Sequence, residues 1–593
     1  MTPQHPDQTP DTTAARPRRP WLAAARFAPI ALAGTLLFAG CSAAATAADT
    51  TSNDSTVELA SADAVEPGAT AAEVMAENEA VPGEDSDNTW DEASVIDIAL
   101  DGDTATATGT DGESADGVTV DGDTVTITAA GTYRLSGTLA GQVVVDTADT
   151  ELVRIILDDA SISSDSTAAI AVTAAERVQV VLADGSENTL SDTSAYADGA
   201  DVNAALFSAA DLVISGDGSL TVHGNGNDGI ASKDGLVISG GTITVDAVDD
   251  GIRGKDEVVI EGGTVDVTAG GDGLKADDNE NADRGYIAIA GGDVTIDAAG
   301  DGLDAATDVV VWGGTLDVTA GGGAGASVAD DVSAKGLSGS VYVVVDGGSV
   351  TVDAAEDAVH ADNTAHVANG TLSLASGDDG IHAEVALTVS GGAVDVTESY
   401  EGLEAAAITI SGGTSTVVAS DDGVNAGSTL EISGGETTID ADGDGIDVNG
   451  SVSISGGTTV VNGPVEQMNG ALDVDSTFDI TGGELLAAGS SGMAMAPSSD
   501  AAQASVLVTF TQSVAAGTVL EVTADDGTVV ATFTTTKSAE SLAVSTSALV
   551  NGQTYTVSAG GTTLGTAVAG EQVSGMGGGG QGGPGGGDQP PMG

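Results

Sequence analysis

DGIRGKDEVVIEGGTVDVTAGG, residues 250–271, is followed at once by DGLKAD, residues 272–277, and the second stretch restarts the first. The Gly-Gly pair in this unit returns throughout the middle of the chain. Its first glycine, or the closest stand-in, falls at Gly216, Gly240, Gly262, Gly291, Gly313, Gly347, Asn369, Gly391, Gly412, Gly434, Gly456 and Gly482. Six of the eleven separations are 22 residues and one is 21, and the two longest, 29 and 34, coincide with polar insertions. An acid keeps the same period at Asp228, Asp250, Asp272, Asp301, Asp357, Asp379, Asp422 and Asp444, with Lys335 and Glu401 in two of its slots. Such a period means one supersecondary unit stacked on copies of itself.

The residues between the markers say what that unit is. Two before each glycine marker stands a β-branched residue, as in Ile238, Ile260, Ile289 and Val311. After the glycines the apolar residues alternate in period two (Ile243 and Val245, Val265 and Val267), and two residues past the acid comes another aliphatic, such as Ile230, Ile252, Leu274 or Leu303. Each repeat therefore holds three short strands, and the Gly-Gly and Asp-Gly corners between them are expected to use φ > 0. Three strands and three corners make one coil of a parallel β-helix of ~22 residues per coil. Equivalent residues then stack ~4.8 Å apart from coil to coil. A strict six-residue rhythm is absent, so the right-handed form is expected.

The ends read differently. Residues 1–40 resemble a lipoprotein-type signal peptide, with Arg16, Arg18, Arg19 and Arg26 ahead of an apolar run from Phe27 to Ala39. Leu37-Phe38-Ala39-Gly40-Cys41 resembles a bacterial lipobox with Cys41 as the lipidated residue, which implies an extracellular, cell-surface lipoprotein. Cys41 is the single cysteine, which excludes an internal disulfide and a cysteine zinc site. Residues 41–90, rich in Ala, Thr, Ser, Asp and Glu, are expected to be a disordered tether. Residues 91–215 are expected to form irregular first coils, 216–497 the regular β-helix, 498–572 a small β cap or sandwich, and 573–593 a Gly-rich disordered tail.

Lys and Arg total 14 against 91 Asp and Glu, a net charge of −77, so nothing here would neutralise phosphates and nucleic acid is excluded as a partner. A monomer is expected. Stacking turns the corner acid into a ladder, in which neighbouring carboxylates repel by roughly 1 kcal/mol in water and about 3.5 kcal/mol at an effective dielectric of 20. Hydration, corner N–H groups, bases or cations must offset this, and calcium suits such oxygen-rich rungs. The expected metal ligands are Asp228, Asp249, Asp250, Asp272, Asp301 and Asp304, joined by the alternating oxygens of Asp277, Asn279, Asn281 and Asp283 in the insertion at 277–283. That loop is not an EF-hand, since Ala282 holds the place of its glycine and no Glu follows at the twelfth position.

The bases cluster. From Cys41 onward there are ten, and six lie between 233 and 335: Lys233, Arg253, Lys255, Lys275, Arg284 and Lys335. Lys233 stacks on Lys255 and Arg253 on Lys275 by the 22-residue offset. Such a patch in an acidic field suits a carboxylate-bearing ligand, or else relieves the ladder by internal ion pairs. His360 and His382 also stack, and two imidazoles alone read as a surface column. Trp90, Trp312, Tyr286, Tyr342 and Tyr400 offer faces for sugar stacking without sharing one column. No Ser-His-Asp arrangement or phosphate loop is visible, and no catalytic residue is assigned.

The segments NDGIASKD (227–234), VDDGIRGKD (248–256) and GDGLKAD (271–277), with AGTYRLSG (130–137) and SAKGL (333–337), resemble secreted bacterial carbohydrate-binding β-helix proteins. The resemblance covers roughly residues 118–500. It implies a pectate-lyase-like fold, bound calcium, and association with cell-wall polysaccharide, either acidic or cellulosic. His382, Glu404 and Asp447 replace the basic residue in later coils, which confines an inherited basic site to the coils around 233–335. Three functions are open at this point: non-catalytic polysaccharide binding assisted by calcium, a polysaccharide lyase using Arg253 or Lys275 as base, and a surface adhesin or spacer without a sugar site.

Overall fold

A computed structural model describes residues 66–81, 88–109, 115–197, 199–329 and 331–571. Cys41, the signal-like segment 1–40 and the Gly-rich stretch 573–593 lie outside the described residues. The chain is nearly all β and forms a parallel β-solenoid of about 16 turns with about 22 residues per coil. Each strand pairs in parallel with its counterpart in the next coil, as Ile252↔Leu274, Val258↔Ile287 and Val265↔Val294 show for the three sheets. The stacked aliphatics anticipated from the repeat form one continuous core running from Ile98 to Leu507 and Ala543.

Each sheet has its own relation to solvent, dictated by how its side chains alternate. The first sheet is made of short strands such as Ile252–Gly254, Leu274–Ala276 and Val359–Ala361, in which only the middle residue faces outward. The third sheet, with strands such as Thr242–Ala247, Thr264–Ala269 and Asp293–Ala298, alternates strictly, aliphatic inward and Thr or Asp outward. Its register keeps like charges apart. Asp246 pairs with Thr268, which pairs with Asp297, which pairs with Thr319, which pairs with Asp353. Directly opposed like charges destabilise a sheet, and a Thr between successive Asp residues lets this acidic chain stack.

The second sheet has strands such as Gly235–Ile238, Glu257–Ile260 and Asp308–Val311 that are buried on both faces. Its outer cover is a strap, residues 66–81, from within the stretch expected to be a disordered tether. Helix Ala71–Glu77 is closed by a Thr70–Glu73 capping box, and it buries Ala71 and Val74 against Val310, Tyr342 and Val344. Met75 and Val81 continue that cover toward Val213, Val237 and Val259. The Asn78 amide donates to Asp308 at 2.9 Å, the Glu79 N–H donates to the Asp283 carbonyl at 2.7 Å, and His366 Nδ1 lies 2.7 Å from the Ala69 carbonyl. Composition alone hides this strap because most of its apolar residues are alanines, and only Val74, Met75 and Val81 are larger. Those few stand at the spacing that meets a sheet already rich in Val.

The two kinds of glycine corner act differently, which corrects the expectation that both use φ > 0. In the Gly-Gly pair the second glycine is left-handed, with φ of 91° at Gly263 and 84° at Gly292. Gly251 of the Asp-Gly corner is not; there the need is for space. A Cβ on Gly251 would stand 2.3 Å from Val267 Cγ1 and 2.7 Å from the Gly273 carbonyl oxygen. Gly251→Ala is therefore expected to destabilise the fold by about 1–3 kcal/mol through overpacking, read as a lower denaturant midpoint.

Both ends of the solenoid are blocked, as stacked open edges require. At the start, Ile96–Gly102 and Ala105–Thr108 pair as an antiparallel hairpin. At the finish, Ala539–Ser545 pairs antiparallel with both Glu484–Gly489 and Ser505–Val514. A four-stranded antiparallel sheet of Val519–Ala524, Val529–Thr534, Thr554–Ala559 and Thr562–Val568 shares a core with them around Leu520, Phe533, Val544 and Tyr555. Lys537 binds this cap to the last coils through Asp440 and Asp442, each at 2.7 Å.

Candidate functional site

One outward column runs along the first sheet, three residues after each corner acid. In coil order it reads Ala231, Arg253, Lys275, Asp304, Ser338, His360, His382, Glu404, Asn425, Asp447 and Asp473. The three-residue strand decides this, since both its neighbours in each coil are buried. The column begins basic, passes through imidazoles and ends acidic. A linear polymer lying along the axis meets one of these side chains per coil.

The corner ladder lies beside this column and is largely inside the protein. Asp228, Asp250, Asp301, Asp357 and Asp379 are all buried. Most corner carboxylates are answered from the next coil. The Asp272 N–H donates to Asp250 Oδ1 at 3.0 Å, the Asp301 N–H to Asp272 Oδ1 at 2.8 Å, and the Lys335 N–H to Asp301 Oδ1 at 2.6 Å. The pattern returns at Asp357–Asp379 and Asp422–Asp444. These N–H groups only partly compensate for lost water. Burial, with Asp250 beside it, pushes Asp228 up to about 7; burial pushes Asp250 and Asp301 up to about 6 and Asp422 to about 8.

The bases expected to meet a ligand are mostly engaged with these acids. Arg253 pairs with Asp277 and reaches Asp228 at 3.8 Å and Asp250 at 4.0 Å. Lys275 sits between Asp272 and Asp304, the latter at 2.8 Å. Arg284 joins Asp256 to Glu79 of the strap, and Lys335 lies 3.7 Å from Glu356. Lys255 makes one 3.5 Å ion pair, with Asp278, and its side chain is 41% exposed. Lys233 is exposed and takes part in none of these pairs. It directly follows Ser232, as Lys255 follows Gly254, in paired strands. Among the described residues, these two ammonium groups retain free donors on consecutive coils.

The insertion at 277–283 folds around a residue that the alternating pattern passes over. Asp278 is buried and accepts from the Glu280 N–H at 2.9 Å, the Asn281 N–H at 3.2 Å and the Asn281 side-chain amide at 3.0 Å. Burial alone would raise its carboxyl, but these donors hold it at about 2. Asp277 turns to Arg253, while Asn279, Asn281 and Asp283 are exposed, and Asp249 is exposed beside the ladder. Among the described residues, triads of metal-ligating side chains with donor atoms within 4.8 Å of one another lie in later coils. They are Asp357–His360–His382, Asp379–His382–Glu404 and Asp422–Asp444–Asp447. The first two escape a reading of the histidines alone. The signal that finds them is the position three after the corner acid, which sets His360 and His382 against the buried carboxylates of Asp357 and Asp379.

The aromatic residues divide by sheet. Tyr286 is fully buried and donates from its hydroxyl to the Glu79 carbonyl at 2.9 Å, and the Tyr342 hydroxyl accepts from the Glu66 N–H at 3.0 Å. Trp312 packs with Met75. These three lie beneath the strap and are not sugar-stacking faces. Trp90 carries the Arg154 guanidinium 5.7 Å above its ring, and Tyr400 is exposed.

Comparison with known proteins bears on this column. Residues 121–380, less than half of the chain, are similar to the family described as carbohydrate-binding domain-containing protein. A protein of Acetivibrio thermocellus with the same description is 39% identical over 140 residues, which is 23% of this chain and 49% of that protein. The chain thus spans about half the length of this curated relative. A solved structure, a polysaccharide lyase-like protein from C. thermocellum in a gadolinium derivative, is 32% identical with a TM-score of 0.35, over 46% of this chain and 96% of the other.

Proposed function

We propose that the protein is a non-catalytic binder of extracellular polysaccharide, of acidic uronate type, which it holds along the first sheet. The observation that carries this reading is the pair Lys233 and Lys255, two stacked ammonium groups with free donors beside the Arg253–Lys275 column, inside the family-matched segment. A polymer with regularly spaced carboxylates would make charge-assisted contacts there.

The column's chemistry favours binding over lyase action. A lyase base must be neutral to take a proton. Burial would lower the pKa of Lys275, but Asp272 and Asp304 outweigh it and raise it; Arg253 is raised likewise against burial, by Asp277 first. Both side chains stay protonated. Binding to a polysaccharide panel, with and without calcium, tests the proposal together with ultraviolet absorbance from unsaturated uronides. Galacturonan retained without new absorbance is the expected result. Absorbance growing with time would make the protein a lyase, and no retention of any acidic polymer would leave a spacer.

Calcium belongs to this reading with a changed location. In the coils from 228 to 304 most of the expected ligands face a base or a backbone N–H. Asp422 and Asp444 also accept backbone N–H groups, from Asp444 and Gly470, but with Asp447 they bring three carboxylates together, the all-oxygen donor set that calcium takes. A ligand bound only by the folded state raises the melting temperature, so excess chelator is expected to lower it, and Asp444→Asn with Asp447→Asn to abolish the difference. A chelator-insensitive melt would remove calcium from the account. Surface attachment through Cys41 is expected as well: Cys41→Ser should release the protein from the membrane fraction.

A further inference from the structure

We propose that the His360–His382 rung is a site for one divalent ion of the zinc class, with Asp357, His360 and His382 as ligands and Asp379 as the residue that positions His382. The two strands Val359–Ala361 and Ile381–Val389 pair in parallel with His360 directly on His382, and the ring centroids are 5.0 Å apart. Asp357 Oδ2 is 2.7 Å from His360 Nδ1, and donor atoms of Asp357, His360 and His382 all lie within 4.8 Å of one another. Asp379 Oδ2 is 3.0 Å from His382 Nδ1, with Glu404 at 3.5 Å. A carboxylate behind a ligating imidazole is the usual device for fixing its orientation.

Three features distinguish this rung from the rest of the acidic column. It supplies two nitrogen donors, which suit zinc, copper or nickel; calcium and magnesium favour oxygen. Its two histidines face outward from paired strands, 16% and 21% exposed, and Asp357 is buried in the corner just before the first of them, so the donors are held by the regular coil. Five carboxylates, those of Asp357, Asp362, Asp379, Glu384 and Glu404, lie within 4.0 Å of the two rings. With the imidazoles neutral, as metal ligation requires, that group is strongly negative, and a dication offsets part of the charge. Partial exposure leaves a coordination position facing outward along the same column as Lys275 and Glu404.

The full chain, stripped with chelator and desalted, would be titrated with Zn²⁺ by calorimetry in millimolar Ca²⁺, and with Co²⁺ as an absorbing probe. One equivalent of Zn²⁺ is expected, undiminished by Ca²⁺, with a Co²⁺ visible band typical of imidazole ligation. His360→Ala with His382→Ala should weaken Zn²⁺ by ~100-fold or more, since loss of outer-shell partners alone typically costs 10–100-fold. His223→Ala, on a different sheet, should bind as wild type does. Absence of Zn²⁺ binding to wild type, displacement by Ca²⁺, or unchanged affinity in a folded double variant would each overturn the assignment.

Discussion

Lowering the pH from about 8 to about 5.5 should raise the melting temperature, the reverse of the usual behaviour of a carboxylate-rich protein. Burial pushes Asp228 up to about 7 and Asp250 and Asp301 to about 6. It pushes Glu257 to about 8, with Asp211 repelling it in addition. Unfolded Asp and Glu titrate near 4. Between the two values the folded state holds protons that the unfolded state lacks, so stability falls as pH rises, by about 1.4 kcal/mol per group for each pH unit in that window. The gain accrues through that window and is complete once pH falls below the unfolded values, near 4. Further acidification works the other way through Asp278, whose carboxyl stands at about 2 and whose contribution is lost as pH falls below about 4. Melting curves in low salt with chelator present, from pH 8 to 3, should therefore pass through a maximum on the acid side of neutrality. A melting temperature that falls steadily from pH 8 would contradict the buried ladder.

The second large effect concerns the strap. Val74 is 2% exposed between the strap helix and Val310, Tyr342 and Val344. Val74→Asp would bury an unpaired carboxylate, which costs far more than the strap's own docking, so the variant is expected to release residues 66–81 and leave the solenoid folded. The local loss is about 1.5–3 kcal/mol for Val74 alone, with Ala71 and Met75 adding to it. Release uncovers Val213, Val237, Val259, Val310 and Val344, a contiguous apolar face of the kind that associates. Limited proteolysis should cut the variant within the strap while the remainder stays resistant, and light scattering should report self-association. A variant with wild-type protease resistance and no self-association would show that the strap is not what covers the second sheet.

The repeat made the solenoid legible, because a column of Ile and Val every 22 residues has one sensible packing. The ion pairs were half legible. Register placed Arg253 on Lys275 correctly, but the acids that occupy them, Asp272 and Asp304 on Lys275 and Asp277 on Arg253, depend on side-chain direction at a corner. The strap was illegible for a different reason. Its stability comes from a complementary surface more than 130 residues away, at Val213 to Val344, and no local pattern in residues 66–81 announces that partner. In the loop at 277–283, the alternate spacing of oxygens at Asp277, Asn279, Asn281 and Asp283 skips Asp278. That residue organises the turn because it alone points inward, where an unbonded carboxylate would be costly.

Polysaccharide binding is assigned to the exposed ammonium pair of Lys233 and Lys255, at the corner that follows the first-sheet strands. Arg253 and Lys275 are poor probes of it, since removing either strands partly buried carboxylates and perturbs the fold. Lys233→Ala with Lys255→Ala removes these donors and leaves the Arg253 and Lys275 pairs in place, while Asp278, which loses Lys255, keeps its three hydrogen bonds from Glu280 and Asn281. Galacturonan affinity of this double variant and of wild type, measured at low and high salt, is the most direct test. The expected result is wild-type binding that weakens as salt rises, because exposed ion pairs are screened, and a variant that is folded yet binds at least tenfold more weakly at low salt. A folded variant that binds galacturonan as tightly as wild type, with the same salt dependence, would contradict the proposed polysaccharide face.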